Sequence, residues 1–418
     1  MEQNKPKLIL LSAHYPYGNG ETFLEDEIRI TERYFSDIII VSADKEKQIT
    51  RRYIPENTTV VNLRERRIQL CPLLISLLEM FFPQTWKEKQ FAYHELGYSR
   101  QRKTVNKLIF INYYISAILE RTMRKLPNLD NVVFYAYWMS SEAFFLSKYK
   151  NKHPNVTCVC RTHGGDCYID KFYQPFRREI LSSLDAVYPI SEAGRECIET
   201  LLMPYVTGRH VPLNVERLGV TKLSSKMNPV AKNGMFYIVT CSNVIPLKRL
   251  DLIIDALAML RDRQIHWVHF GDGIIMDEVQ QQADAKLSNS SITFEFKGRV
   301  AKSDVLRWYE ENHVDLFVNC SDSEGIPVSV MEAYAYGIPA VARDVGGINE
   351  LVISGKNGIL LPAVCTAEEL RNAIAEMIEK SETEMRHYRD GAYQTYQDSY
   401  CAERNYREFY QQILTTHE

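Results

Sequence analysis

The 418-residue chain has no apolar run long enough to span a bilayer, no C-x-x-C pair and no two aspartates spaced D-x-D. Each absence excludes something. The most apolar stretch, 68–82, contains Pro72 and Glu79; from Pro72 to Phe82 a helix reaches roughly 16 Å, about half a bilayer core. Leu8–Leu11, after the polar N-terminus, is too short for the core of a signal peptide. The nine cysteines are odd in number and scattered, which points to reduced thiols in the cytoplasm. Cys158 and Cys160 are near neighbours, but without a C-x-x-C pair there is no zinc or redox site. Fifty basic against 53 acidic residues leave a formal charge of −3. Such a balance excludes holding nucleic acid by bulk charge, so no nucleic-acid partner is expected. With 45% hydrophobic and 25% charged residues, disorder is excluded too, and the length suits two to three domains.

Charge is unevenly spread. Residues 51–150 carry 16 basic and 8 acidic side chains, a local excess of +8. Within them Leu73, Leu74, Leu77, Leu78 and Phe81 fall on one helical face, with Ser76 and Glu79 on another and Arg64, Arg66 and Arg67 just upstream. A second basic amphipathic stretch, Arg100 to Lys125, has Val105, Leu108, Ile115, Leu119 and Met123 at helical spacing. Two readings stay open for 64–125: ordinary core-facing helices with solvated basic faces, or a peripheral contact with an anionic membrane.

Short runs rich in β-branched residues alternate with helical patterns. Strands are expected at Leu8–Leu11, Ile38–Ser42, Val132–Tyr135, Thr157–Arg161 and Ala186–Ile190 in the first half. In the second they are expected at Phe236–Cys241, His266–Phe270, Thr293–Phe296, Leu316–Asn319 and Ala340–Ala342. Lys222–Gly234, poor in apolar residues, reads as a linker between the two series, and Glu384–Glu418 as a Tyr-rich helical segment. The fold class is therefore α/β, two doubly wound parallel-sheet (Rossmann-like) domains facing a cleft.

The most informative segment is Val314–Glu332. A strand ends near Asn319, a polar loop follows from Ser321 to Gly325, and Pro327 stands where a helix should begin. The N–H groups of Gly325, Ile326, Val328 and Ser329 would then form an anion site suited to a diphosphate. Glu332 lies among Val328, Val330, Met331, Ala333 and Ala335. A carboxylate there needs a partner, and two ribose hydroxyls would serve. The bland reading of Glu332 is a solvent-facing position, and that of Glu324 a helix cap or a solvated loop charge.

The Glu324-x7-Glu332 pair within EGIPVSVMEAYAYGIPAVARDVGG resembles the signature of retaining, two-domain GT-B glycosyltransferases, family 4 in particular and the bacterial surface-polysaccharide type. CSNVIPLKRLDLIIDAL (Cys241–Leu257), FGDG (Phe270–Gly273), FKGRV (Phe296–Val300) and ELVISGKNGILLP (Glu350–Pro362) continue the likeness in order. It is weaker through GNGETFLEDEI (Gly18–Ile28), RTHGGD (Arg161–Asp166) and RLGV (Arg217–Val220). The resemblance implies an acceptor-side domain at 1–217, a donor domain at 218–395 and a last helix, about 396–418, packed back on the first.

It also implies roles. Glu332 would bind ribose hydroxyls, and Glu324 the transferred sugar. The amides from Gly325 through Ile326, Pro327 (which supplies only the turn), Val328 and Ser329 would hold the diphosphate. Lys248 would neutralise the leaving phosphate. Gly298, Arg299 and Val300 would lie near the base. His163, at a strand end beside Gly164 and Gly165, would contact the sugar near the reacting carbon; Arg161 and Asp166 would touch acceptor or donor. Gly20 belongs to a flexible loop that would approach the donor phosphates or the acceptor. The chain departs from the family at Asn243, where an Arg is usual; Arg249 is the candidate to replace its charge.

With no D-x-D pair, the helix N-terminus and Lys248 would stand in for a metal, and neither metal nor other cofactor is expected. The reading is a cytoplasmic glycosyltransferase, peripheral to the inner membrane face, using a UDP- or GDP-sugar donor and a glycan or lipid-linked acceptor. An epimerase or phosphorylase on the same fold and a non-catalytic partner protein are the rivals.

Overall fold

In a computed structural model of the chain, residues 5–18, 20–43, 52–63, 69–126, 129–168, 173–231 and 234–417 are described. Ten apolar runs form strands where expected, within a residue at most ends. In the first unit they are β1 (Lys7–Ser12), β2 (Ile38–Ser42), β4 (Val132–Ala136), β5 (Thr157–Thr162) and β6 (Ala186–Pro189). In the second they are β7 (Phe236–Cys241), β8 (Ile265–Phe270), β9 (Ile292–Phe296), β10 (Leu316–Asn319) and β11 (Ala340–Arg343). Two further strands, β3 (Thr58–Asn62) and β12 (Gly358–Leu361), carry weaker signals. Both are edge strands, and an edge can be formed by polar or Gly-led residues because less of it is buried.

The first sheet runs β3-β2-β1-β4-β5-β6 and the second β12-β11-β10-β7-β8-β9. All pairings are parallel, with Leu8 opposite both Ile38 and Val133 and Phe317 opposite both Ala340 and Val239. β4 and β5 are buried throughout, which explains their unbroken apolar character. Each sheet reverses strand order once, between β1 and β4 and between β7 and β10. Open parallel sheets bind ligands outside the carboxyl ends of the strands at such a reversal.

The chain divides into one unit of residues 1–217 with 406–418 and a second of 218–405. Residues 396–405 thus count with the second unit, as a π-helical turn at Tyr396–Tyr400 and the start of the helix Ala402–His417. In the first unit that helix supplies Tyr410, whose hydroxyl donates to Glu27 (2.9 Å), and Phe409, whose ring lies 4.0 Å under the Arg161 guanidinium. The described residues of the stretch read as a linker, 222–231 and 234, count with the second unit. Buried Asn228 ties it down, donating to the carbonyls of Tyr309 (2.7 Å) and Asn312 (2.8 Å) and accepting from Val314 N–H (3.0 Å). Composition alone conceals one asparagine that meets three backbone groups.

The two amphipathic stretches of the first unit part company. The helix Arg102–Met123 buries Val105, Ile115, Leu119 and Met123, as a core-facing helix should. The helix Leu70–Glu79 does the reverse. It buries Pro72 and Ser76 and exposes Leu70, Leu74, Leu77 and Leu78. Arg64, Arg66 and Arg67 lie outside the described residues.

Candidate functional site

At the reversal of the second sheet, the loops after β7 and β10 meet. The loop after β10 turns through Ser321–Gly325 into the helix Val328–Ala335; Pro327 is its cap rather than its first helical residue. The Glu324 carboxylate accepts from Lys248 Nζ (2.5 Å), Ser321 Oγ (2.6 Å) and Asn319 Nδ2 (3.4 Å). Lys248 ends the short 3-10 turn Pro246–Lys248 after β7. Two residues 76 positions apart in sequence are thereby joined as a mostly buried ion pair at the switch point. The N–H groups of Val328 and Ser329, at the helix start, have no carbonyl a turn back within the helix. Ile326 and Pro327 are buried, whereas Gly325, Val328 and Ser329 are partly exposed.

The Asp344–Gly347 turn after β11 braces this loop. Gly347 N–H donates to Gly325 O (2.7 Å), and a Cβ at Gly346 would lie 1.8 Å from Glu324 O. Asp322 N–H donates to Leu247 O (2.8 Å), and Arg343 Nη1 reaches both Asp322 (2.5 Å) and Cys320 O (2.9 Å). Glycines 346 and 347 and Arg343 are missed by a reading of charges in the β10 loop alone; the DVGG that closes the long motif was their signal.

Glu332 is 8% exposed and forms an ion pair with Lys302 Nζ (3.3 Å). The sequence demanded a partner for this carboxylate but could not name Lys302, which starts the helix Lys302–Glu311. Arg249, the candidate for the charge missing at Asn243, already has carboxylate partners. Its guanidinium is spent on Asp251 (3.0–3.2 Å) and Asp322 (3.3 Å), which together hold its pKa well above the ordinary range. Asn243 itself is exposed. Gly298 is partly exposed and its carbonyl accepts from Gly271 N–H (2.9 Å), so the β8 and β9 loops are joined; Arg299 and Val300 are exposed beside it.

In the first unit, described residues of the loop after β1 are tied by hydrogen bonds. The Glu21 carboxylate accepts from the N–H groups of Ala13 (3.0 Å), His14 (2.8 Å) and Tyr15 (2.6 Å) and from Trp138 Nε1 (2.6 Å). Arg52 donates to Gly20 O (2.5 Å) and pairs with Glu25 (3.1 Å). The amides that follow the first strand of a doubly wound sheet commonly meet a phosphate; here the chain's own carboxylate takes them. Asn19, in this loop, lies outside the described residues.

His163 is buried, its ring against Trp138 (4.4 Å between centroids) and Tyr137 (5.0 Å). Its Nε2 lies 3.1 Å from Tyr137 O, so Nε2 carries the proton, and its carbonyl accepts from Cys167 N–H (3.1 Å). Burial, helped by nearby Arg161, lowers its pKa to about 3 and fixes a neutral ring. Asp166 accepts from His163 N–H and from Met139 N–H (2.7 Å), linking the ends of β4 and β5, and burial raises its pKa to about 7. Arg161 is fully buried, paired to Glu27 (3.3 Å) and covered by Phe409. Among the described residues no group of three or more His, Cys, Asp or Glu is placed to hold a metal ion.

Comparison with solved structures decides the architecture. Over 98% of this chain and 99% of the other, it superposes on the apo lipopolysaccharide outer core galactosyltransferase WaaB with a TM-score of 0.67 at 14% identity. Over 98% and 100% it matches Anabaena Alr3699/HepE in complex with UDP and glucose, with a TM-score of 0.65 at 15% identity. The chain has the GT-B fold. Residues 236–380 of this GT-B chain match the family of glycosyl transferases group 1. The putative colanic acid biosynthesis glycosyltransferase WcaL of Escherichia coli K12 is 26% identical over 205 residues, 47% of each chain. The putative teichuronic acid biosynthesis glycosyltransferase TuaC of Bacillus subtilis is 37% identical over 105 residues, 24% of this chain and 25% of that one. The match thus spans about half the length of the first of these relatives. It makes the chain a relative of the family 4 enzymes of bacterial surface polysaccharides.

Proposed function

We propose that the chain is a retaining glycosyltransferase that moves a sugar from a nucleoside diphosphate sugar to an acceptor hydroxyl in polysaccharide or glycoconjugate synthesis. The observation that carries this reading is the Lys248–Glu324 pair, set beside the start of the helix Val328–Ala335 at the second sheet's reversal. A fixed cation next to helix N–H groups meets what the reaction needs most, stabilisation of negative charge growing on the departing diphosphate. Glu324 holds Lys248 in place and offers its remaining lone pairs to the sugar. Glu332, paired with Lys302, grips the ribose hydroxyls. Gly298, Arg299 and Val300 border the base, and Gly325, Val328 and Ser329 the diphosphate. The sugar C1–O bond to phosphate breaks and a C1–O bond to the acceptor forms on the same face. The acceptor's proton passes to a leaving phosphate oxygen, so no second carboxylate is required as base. His163 acts by position, since its ring is neutral and both Nε2 and its carbonyl are engaged. The relatives bear surface-polysaccharide names, which favours a lipid-linked acceptor and a place at the inner membrane face.

Glu324→Ala tests the reading. The variant should fold, still be stabilised by UDP or GDP, and lose most turnover. Near-normal kcat would remove Glu324 from the mechanism. Nucleoside diphosphate released only when acceptor is present would separate transfer from epimerisation.

A further inference from the structure

Two consecutive helices of the first unit, Leu70–Glu79 and Pro83–Gln90, turn polar residues inward. Glu79 pairs with Lys148 (2.5 Å), and Thr85 bonds Tyr113 (2.8 Å). Glu88 accepts from Tyr173 (2.9 Å) and Arg178 (3.1 Å). These anchors leave the apolar side outward. Leu78 is 65% exposed, Phe81 88% and Trp86 62%, with Leu74, Leu77 and Phe82 beside them. Scattered apolar residues on a surface need no account; a continuous helical stripe does.

We propose that these two helices and the turn between them are a wedge that inserts into an anionic bilayer. The inference deepens the membrane location given above and rests on it. Charge selects the occupant. Residues 70–107 hold six bases and three acids. Two of the acids, Glu79 and Glu88, are turned inward and paired, while Lys87, Arg102, Lys103 and Lys107 are exposed. A second copy of the chain would set these bases against their own kind, whereas anionic headgroups complement them. No helix among the described residues is long and apolar enough to cross a membrane. A ten-residue helix lying in the interface needs no such length. The leucines and Phe81 enter the acyl boundary, and Trp86 sits at headgroup level.

Vesicle sedimentation of the full chain, without donor or acceptor, tests the wedge. The protein should partition onto phosphatidylcholine vesicles containing phosphatidylglycerol and far less onto phosphatidylcholine alone. Leu78→Ser with Phe81→Ser should weaken partition at least about a hundred-fold. Lys103→Glu with Lys107→Glu should weaken it only on the anionic vesicles. All four positions are exposed or nearly so, so both variants should melt as the wild type does. UDP or GDP should still stabilise them, which separates a failed wedge from a failed donor site. Undiminished vesicle binding by the serine variant, or none by the wild type, overturns the proposal. Equal binding to both vesicle types overturns the choice of anionic lipid. A dimer that the serine variant dissolves, with no vesicle binding, assigns the face to a second copy instead.

Discussion

Gly346→Ala should disable the site without touching a charged group. Gly346 has φ +61°, and the new Cβ would lie 1.8 Å from Glu324 O and 2.9 Å from its carbonyl carbon. Real Cβ contacts essentially never fall under 3.0 Å. The two turns must therefore part by about 1.2 Å, straining the Gly347–Gly325 bond as well. A left-handed alanine costs about 1–2 kcal/mol, and relieving the overlap adds about 1–3 kcal/mol. A misplacement of about 1 Å at a reacting centre costs about a hundred-fold in rate. The assay is nucleoside diphosphate release with acceptor, beside a urea melt. Gly355→Ala is the control, because Gly355 has φ +79° but open space around its Cα. It should lose the backbone term and keep its turnover. If the two variants behave alike, or if Gly346→Ala keeps wild-type kcat, the bracing of Glu324 by the 344–347 turn is not what holds the site.

Glu27→Leu strands the fully buried Arg161 cation and should cost about 3–5 kcal/mol in a denaturant melt; a loss below 1 kcal/mol would mean the pair is dispensable. Asp166 and His163 oppose each other in acid. His163, neutral in the fold with a pKa of about 3 against 6.5 ordinarily, supports the fold fully above pH 6.5 and less as pH falls, because the unfolded chain takes up the proton. Asp166, at about 7 against 3.8, favours the fold more as pH falls through that window, because the folded chain keeps a proton the unfolded one has released. Asp166→Asn should therefore steepen the loss of stability between about pH 7 and 4, and melts with unchanged pH slope would refute the shift. Turnover should survive excess EDTA; abolition with rescue by Mn²⁺ would overturn metal independence.

Much of the fold was legible because strands buried on both faces announce themselves as apolar runs. β3 and β12 escaped because both are short and only partly buried, whereas β6, also at an edge, is wholly buried and carries its apolar run. The motif residues Glu324 and Lys248 were found by type and spacing, and so was the need for a partner to Glu332. That the partner is Lys302 was not, because contact across separate strands depends on sheet order rather than on distance in sequence. The same limit hid the partners of Arg161 and Arg249: a cation's sequence gives its charge, but only packing reveals whether a carboxylate already holds it. The leucine stripe at 70–78 shows the point most plainly. Its periodicity gave the helix and its apolar face. Which way that face turns was decided by Glu79, Thr85 and Glu88, whose partners lie dozens of residues away and pull the polar side inward.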